Sequence, residues 1–428
     1  MPAKTGVRVP MRRRYRKPVQ FLHRPLSRAA TIACVVLLCT ILVQPAFADS
    51  GFDAFLQSQW PAARRLGVSR ATFDAAIKGL EPDLSLPDLV IPGRPERQPS
   101  QPEFVLTPSQ YLKDATFTRL AAQGKALRAK YRDTLARIAR DIGVPGDVVL
   151  AIWARETDYG RYRLPHDALQ VLATQAYTGR RKDFFANEFA HALKMLQDGV
   201  PRSEMRSSWG GAVGLTQFLP SEFYKYGTDF DGDGKVDIWN SVPDALASAA
   251  KQLAGKGWRR GEPWAYEVKV PAAIDCTIAE PAHKMTIRQW SARGVTRAGG
   301  KPFGAHDLGI EASLLMPEGT TGPAFLTAAN YYVIKEYNYS DLYVLFVGHL
   351  ADLIGGGGPF VAPWGMASQL RTRDVEAMQR RLTALGFYKD KIDGKAGMLT
   401  RAALGAFQKA RGLKLDCWPS ADVLRAMQ

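Results

Sequence analysis

Glu156 is the residue whose position in this sequence most clearly suggests chemistry. It follows an apolar stretch, residues 148–154, and on a helix it would share one face with Ile152 and Trp153. Burial on that face raises the pKa of a carboxyl group and keeps it protonated near neutrality, as a general acid requires. The alternative is a structural ion pair with Arg155 or another arginine, and the segment taken alone favours that alternative.

A glycine-rich turn at residues 210–214 leads into a second candidate segment. Glycine lets the backbone approach an extended ligand closely. Gln217, which follows the turn, offers both a hydrogen-bond donor and an acceptor, and these suit the hydroxyl and acetamido groups of a sugar. The segment could equally be a place where two parts of the chain pack closely, with no role in binding.

Residues 229–234 follow the order D-x-D-x-D-G of an EF-hand calcium loop. In such a loop, three carboxylates and the backbone carbonyl at position seven converge on the cation. Here these residues are Asp229, Asp231, Asp233 and Lys235. Position twelve is Asn240, where a strong site has a bidentate glutamate. The pattern predicts a weak, structural Ca²⁺ site, and an acidic turn without an ion is an equal alternative.

Length and composition limit the classes of protein that can hold these residues. The chain has 428 residues, 46% of them hydrophobic and 23% charged, which indicates two folded units and excludes a disordered, collagen-like or polytopic membrane protein. The net charge is +16, but nine of the 57 Lys and Arg and none of the 41 Asp and Glu lie in residues 1–48. The rest therefore carries only +7, which is too diffuse to indicate nucleic-acid binding.

Residues 1–48 have the pattern of a secretory signal peptide. A basic segment precedes the apolar run 29–43, and an A-x-A site ends at Ala48. We therefore expect export to the periplasm by a cleavable signal; an uncleaved anchor is the alternative, and the run is short for a bilayer span. Whether export follows the general or the twin-arginine route stays open. Cleavage would leave Cys276 and Cys417, which could pair or remain free thiols.

The elements that would position these residues are mainly helical. The hydrophobic spacing predicts a mainly α (α+β) fold, with short strands between residues 264 and 312. Asp244 is expected to be the N-cap of a helix at 245–253. Further helices are predicted at 53–80, 111–142, 166–198, 325–336 and 342–353. The Gly/Pro-rich segment 353–370 is expected to be a linker before a small, separate helical unit at 371–428.

In the order in which they occur, the motifs resemble the lytic murein transglycosylase B family. The resemblance covers about residues 52–352 and includes the segments 152–160, 211–221, 229–244, 314–317 and 337–340. It implies a lysozyme-like helical domain, 49–352, in which Glu156 is the single catalytic acid. It also implies that Asp244 closes the acidic loop. The residues matching positions that line the glycan groove are Ser208, Gln217, Tyr337, Asn338 and Tyr343.

The C-terminal segment resembles a peptidoglycan-binding domain of three helices. The resemblance covers residues 371–428 and is carried by Asp393-Gly394, Thr400-Arg401 and Phe407-Gln408. Such a module would act as a tether that raises the local concentration of the enzyme on the cell wall.

Together the two resemblances imply an exported lytic transglycosylase that acts on peptidoglycan glycan strands. It would cleave the bond between N-acetylmuramic acid and N-acetylglucosamine and close a 1,6-anhydro ring. Most glycosidases use two carboxyl groups, and the sequence offers no second one beside Glu156. Asp158 lies two positions later and would point away from Glu156 on a helix. We expect a monomer that needs no cofactor for its chemistry, with cell-wall synthesis proteins as candidate partners. A muramidase that uses water and a non-catalytic scaffold are the alternatives.

Overall fold

The chain is mostly helical, with 52% of residues in helices and 7% in strands. A computed structural model describes residues 50–94, 101–365 and 370–427. The proportions confirm the predicted mainly α class with a small sheet. The predicted signal peptide, residues 1–48, lies outside the described residues. No helix in the described ranges is both long and apolar enough to cross a bilayer.

Eighteen α-helices occur in the described residues. They are Ser50–Ser58 (α1), Trp60–Arg65 (α2), Arg70–Ile77 (α3), Pro102–Val105 (α4), Pro108–Tyr111 (α5), Asp114–Lys130 (α6), Arg132–Asp141 (α7), Gly146–Thr157 (α8), Ala168–Thr178 (α9), Lys182–Gln197 (α10), Pro220–Tyr226 (α11), Val242–Gly255 (α12), Ile287–Ala292 (α13), Ala329–Lys335 (α14), Asp341–Ile354 (α15), Thr372–Ala384 (α16), Met398–Ala410 (α17) and Ala421–Ala426 (α18).

Helix α8 lies at the centre of the larger helical region. Its residues from Val149 to Ile152 are fully buried, so no face of its middle turn meets solvent. Helices α6, α7, α12 and α15 pack around it. Because α15 is also apolar along most of its length, the two helices form the middle of the main core. This packing fixes the position of the residues at the C-terminal end of α8.

The described residues contain seven β-strands, five of which form one antiparallel sheet. The strands are His166–Asp167 (β1), Arg206–Ser207 (β2), Ala265–Lys269 (β3), Lys284–Thr286 (β4), Thr296–Arg297 (β5), Glu311–Leu315 (β6) and Ala324–Thr327 (β7). Strands β1 and β2 pair separately, and the larger sheet has the order β4-β6-β7-β3-β5. The predicted helix 325–336 is wrong in its first residues, because β7 occupies 324–327. Strand β7 is buried on both faces and therefore lacks the alternation that marks a half-buried strand.

Three further predictions require correction. Ser241, rather than Asp244, is the N-cap of α12, and its hydroxyl accepts the backbone N–H of Asp244. The helix predicted at 111–142 is divided at Tyr131, and the helix predicted at 166–198 is divided at Gly179.

The three C-terminal helices, α16 to α18, form a module with its own small core around Met378, Leu404 and Phe407. This module packs against the larger region, and the described residues from Gly51 onward cluster as one compact unit. A disulfide joins Cys276 to Cys417. Lys409 also forms an ion pair with Asp275 across the same contact.

The segment that leads to this module also lies against the larger region. The ring of Phe360 stacks on His349 in α15, with 3.6 Å between ring centroids. The backbone N–H groups of Val361 and Ala362 donate to the carboxylate of Glu267. The described part of the predicted linker is therefore packed in place, because its aromatic and backbone groups have partners on the larger region.

Candidate active site

Glu156 lies in the last turn of α8, where the buried helix reaches the surface. The helix ends sharply, because Asp158, Tyr159 and Gly160 all have positive φ. Thr157, between them and Glu156, donates its hydroxyl to the carbonyl of Leu215 at 2.7 Å. This bond joins the end of α8 to the glycine-rich turn, so two of the predicted segments meet at Glu156.

Tyr343 on α15 is the direct partner of Glu156. Its hydroxyl donates to Glu156 Oε1 at 2.5 Å, and its side chain is 2% exposed. Burial raises the pKa of the Glu156 carboxyl, while the hydrogen bond from Tyr343 and the charge of Arg155 oppose that rise. The result is a carboxyl that retains a proton at higher pH than an ordinary glutamate, as a general acid must.

A second buried carboxylate, Glu103, lies near Glu156 and is absent from the sequence prediction. It is 6% exposed, and its charge also raises the pKa of Glu156. Arg155 Nη2 lies 3.4 Å from Glu103 Oε2, and Asn338 Nδ2 donates to Glu103 Oε1 at 2.7 Å. Both oxygens of Glu103 are therefore held by protein groups. No local pattern marks this residue, because its partners lie 52 and 235 positions away.

Arg155 connects these groups. Its Nε donates to the hydroxyl of Tyr111 at 2.8 Å, and its guanidinium lies over the rings of Tyr111, Tyr343 and Phe346. The sequence left open whether Glu156 serves chemistry or an ion pair with Arg155. In the structure, Arg155 forms its ion pair with Glu103, and Glu156 accepts the hydroxyl of Tyr343.

The glycine-rich turn lies beside the end of α8, because Leu215, which follows it, accepts the hydroxyl of Thr157. Gly211 and Gly214 have φ of +81° and +75°, and a Cβ on either would collide with Leu172 or Ile238. Gln217 also has a positive φ, and its Nε2 donates to the carbonyl of Gly214 at 3.0 Å. Glycine is therefore required at both positions for the backbone to turn this tightly.

The remaining predicted groove residues have different surroundings. Ser208 is half-buried at the start of the turn, where its carbonyl accepts the N–H of Gly211. The hydroxyl of Tyr337 is buried and makes no well-aligned hydrogen bond among the described residues, although the side chain of Thr216 lies within interaction range. Burial and the charges of Glu156 and Glu222 raise the pKa of Tyr337 well above its ordinary value. Asn338 is directed internally, since Glu103 and the N–H of Ser340 occupy its amide.

Asp158 is turned toward the surface. Its carboxylate pairs with Arg119 at 2.8 Å and with Arg161 at 3.2 Å. The hydrogen bonds from these arginines hold the pKa of Asp158 below its ordinary value despite partial burial. It is therefore not available as a second acid beside Glu156.

The acidic loop is a separate cluster. Oxygens of Asp229, Asp231 and Asp244 lie within 4.8 Å of one another, whereas Asp233 accepts the backbone N–H of Lys235 instead. Carboxylate oxygens are the ligands that Ca²⁺ takes, and an oxygen that accepts one hydrogen bond keeps a second lone pair. The cluster therefore fits a hard cation.

Asp244 also stabilises the loop through its own hydrogen bonds. It is fully buried and accepts the backbone N–H groups of Phe230, Asp231 and Asp237 at 2.8, 3.2 and 2.9 Å. These bonds satisfy three donors that the turn would otherwise leave unpaired.

Comparison with known families accounts for both parts of the chain. The family model of the transglycosylase SLT domain matches residues 51–352, which is more than half of the chain. The chain belongs to the transglycosylase SLT domain family. A putative peptidoglycan binding domain matches residues 371–427. The SLT domain thus carries Glu156, Tyr343 and the turn, and the predicted resemblance of both parts is confirmed.

Named relatives support this assignment to the SLT family. Membrane-bound lytic murein transglycosylase B of Escherichia coli (strain K12) is 32% identical over 230 residues, which cover 53% of this chain and 61% of that protein. The match therefore spans about three-fifths of the length of that curated relative.

Two solved structures are also similar to this chain. SltB3 from Pseudomonas aeruginosa, in complex with NAG-anhNAM-pentapeptide, is 38% identical, with 88% of this chain and 99% of that chain covered and a TM-score of 0.79. The soluble lytic transglycosylase SltB1 of the same species is 25% identical, with 71% and 98% covered and a TM-score of 0.58.

Proposed function

We propose that this protein is a peptidoglycan lytic transglycosylase in which Glu156 is the only catalytic acid and base. The observation that carries the proposal is the half-buried Glu156 carboxyl, whose pKa is raised by burial and which meets Tyr343 in a transglycosylase SLT domain. The similar SltB3 structure contains NAG-anhNAM-pentapeptide, a fragment with an anhydro ring, and this supports a ring-closing reaction here.

The proposed reaction uses the two protonation states of Glu156 in turn. The carboxylic acid donates its proton to the glycosidic oxygen as the bond to C1 of N-acetylmuramic acid breaks. The carboxylate then removes the proton of the C6 hydroxyl, and that oxygen forms the new bond to C1. The proton taken up in the second step restores the acid, and no water enters the products.

The substrate must supply the stabilisation that a second carboxylate gives in most glycosidases. Glu103 is a poor candidate for that role, because Arg155 and Asn338 hold both of its oxygens. Asp158 pairs with arginines at the surface. We therefore propose that the N-acetyl group of the muramic acid assists the departure of the leaving group, as in the substrate-assisted exceptions.

We propose that Tyr337, Gln217 and Ser208 contact the glycan. We propose that Asn338 and Tyr343 instead orient the carboxyl groups of Glu103 and Glu156. The buried hydroxyl of Tyr337 supports this division, because it has no well-aligned partner among the described residues, and such a donor is costly unless a ligand satisfies it. Asn338 and Tyr343 already have protein partners, Glu103 and Glu156.

Mass spectrometry of the soluble products would test the proposal. Residues 49–428 would digest purified peptidoglycan beside a Glu156→Gln variant and an Asp158→Asn control. The expected products end in anhydro-muramic acid, with the control active and Glu156→Gln inactive. Products one water heavier, with reducing ends, would establish the muramidase and exclude ring closure. No products from any protein, with wall binding intact, would favour the scaffold.

We propose that the protein is exported to the periplasm and acts there in cell-wall remodelling. The basic and apolar segments within residues 1–48 support export. The disulfide between Cys276 and Cys417 is of a kind that persists in oxidising compartments. We further propose that the C-terminal module binds peptidoglycan, that the acidic loop takes Ca²⁺ weakly for structure, and that the protein is a monomer.

A further inference from the structure

The C-terminal module reaches the segment that carries Tyr343. Arg401 on α17 forms an ion pair with Asp341, with 3.0 Å between Nη2 and Oδ2. The two side chains are only 9% and 11% exposed. Asp341 is the first residue of α15, and Tyr343 follows in the same turn. A charged group of the module therefore contacts the helical turn that carries Tyr343, whose hydroxyl binds Glu156.

Asp341 is held from two sides. It accepts the ammonium of Lys335 at 2.5 Å and the hydroxyl of Tyr331 at 2.8 Å, both from α14, in addition to Arg401. A buried ion pair of this kind is stable only when its geometry is fixed and its remaining polar groups are satisfied. The position of the first turn of α15 thus depends partly on a residue of the module.

A second contact reaches the other side of the Glu156 network. Lys395 of the module lies 3.5 Å from the ring centroid of Phe104, the residue next to Glu103. The carbonyl of Ala396 accepts a hydrogen bond from Arg401 Nη1 at 2.6 Å, which joins this contact to the first. Residues 395–401 therefore contact α4, which carries Glu103, and the start of α15, which carries the Tyr343 that binds Glu156.

We propose that Arg401 is a positioning residue for Glu156, acting through Asp341 and Tyr343. The inference deepens the proposed function and rests on it. If the module were only a tether, changes in it would affect wall binding alone. This geometry predicts that the module also affects the position of Glu156 at the end of α8. Arg401 itself does not touch the reacting atoms.

Kinetics on a soluble, uncrosslinked glycan fragment would separate support from tethering, because a short fragment does not need the tether. Arg401→Gln is expected to lower kcat about tenfold with KM nearly unchanged, the scale expected when a small displacement misplaces a catalytic group. Arg401→Lys keeps the charge and should recover most of the loss. Lys409→Gln, which breaks the exposed ion pair with Asp275 in the same interface, is the matched control and should leave kcat within about twofold.

A double variant tests the route through Tyr343. If Arg401 acts through that hydroxyl, Arg401→Gln combined with Tyr343→Phe loses little more than Tyr343→Phe alone. Multiplying losses would overturn the proposal, as would an unchanged kcat in Arg401→Gln or an equal loss in Lys409→Gln. Melting curves of each variant would show that the measured protein is folded. An inactive wild type would instead reject the proposed function, and the inference with it.

Discussion

Two groups of carboxylates in this chain have opposite surroundings. Glu156 lies at the end of a buried helix and accepts the hydroxyl of Tyr343, and burial raises its pKa. Asp244 is fully buried but accepts three backbone N–H groups of its own loop. The comparison shows that donors decide the role of a buried carboxylate. One occupied by backbone groups maintains structure, whereas one with few donors can transfer a proton.

Glu156→Gln should give the largest effect on the catalytic side of this comparison. We expect kcat to fall about 10³-fold, since general acid and base catalysis is worth that much and glutamine cannot transfer the proton. The melting temperature should stay within about 2 °C, because the amide is nearly the same size and one polar group at this site is exchanged for another. Turnover and thermal unfolding would be measured on the same sample. Near-normal turnover would assign the acid elsewhere.

Asp244→Ala should have the opposite signature. It leaves the N–H groups of Phe230, Asp231 and Asp237 without their acceptor, and we expect a loss of about 3 kcal/mol in the free energy of unfolding. Urea unfolding would measure this loss. Asp233→Ala, in the exposed part of the same loop, is the control and should cost less than about 0.5 kcal/mol. Equal losses in both variants would remove the distinction drawn for Asp244.

Tyr343→Phe should change the pH range over which Glu156 supports activity. We expect kcat to fall roughly tenfold, the value of one hydrogen bond to a charged group. Glu156 must be protonated to act, so activity falls as pH rises through its pKa. The hydrogen bond from Tyr343 lowers that pKa, and its removal should move the alkaline limb of the pH–rate profile to higher pH. A limb that stays in place or moves down would contradict this role.

Glu103→Gln should move the same limb in the other direction, with a smaller loss of rate. The charge of Glu103 raises the pKa of Glu156, so glutamine should shift the alkaline limb to lower pH. The released guanidinium of Arg155, which lowers that pKa, acts in the same direction. We expect kcat at its optimum to fall less than about fivefold. Limbs that shift the same way in Tyr343→Phe and Glu103→Gln would refute the opposed roles of these two residues.

The sequence predicted those features that depend on local patterns. Glu156 can be identified from the sequence because it ends a continuous apolar helix. The glycine-rich turn can be identified because a positive φ favours glycine. The pattern predicts helix at strand β7, because a short run buried on both faces has no diagnostic period. Glu103 and the pair of Arg401 with Asp341 were missed because each depends on a contact between distant segments. For the same reason, the sequence does not decide whether Cys276 and Cys417 pair, since the two cysteines lie 141 positions apart.

The smallest expected effect concerns the proposed Ca²⁺ in the acidic loop. Millimolar Ca²⁺ should raise the melting temperature by about 2 °C, which is what a weak site near saturation adds to a protein of this size. The effect is small because Asp229 and Asp244 already accept backbone N–H groups and position twelve is Asn240. Mg²⁺ should stabilise less, since it requires a stricter octahedral geometry.

The control for this experiment is Asp229→Asn, which should abolish the response to Ca²⁺. Asp229 belongs to the carboxylate cluster, whereas the hydrogen bonds that Asp244 makes to the loop would remain. A response that survives in Asp229→Asn would place the ion elsewhere. A wild type that does not respond to Ca²⁺ would leave the backbone hydrogen bonds as the support of the loop, and both carboxylate regions would then function without a metal.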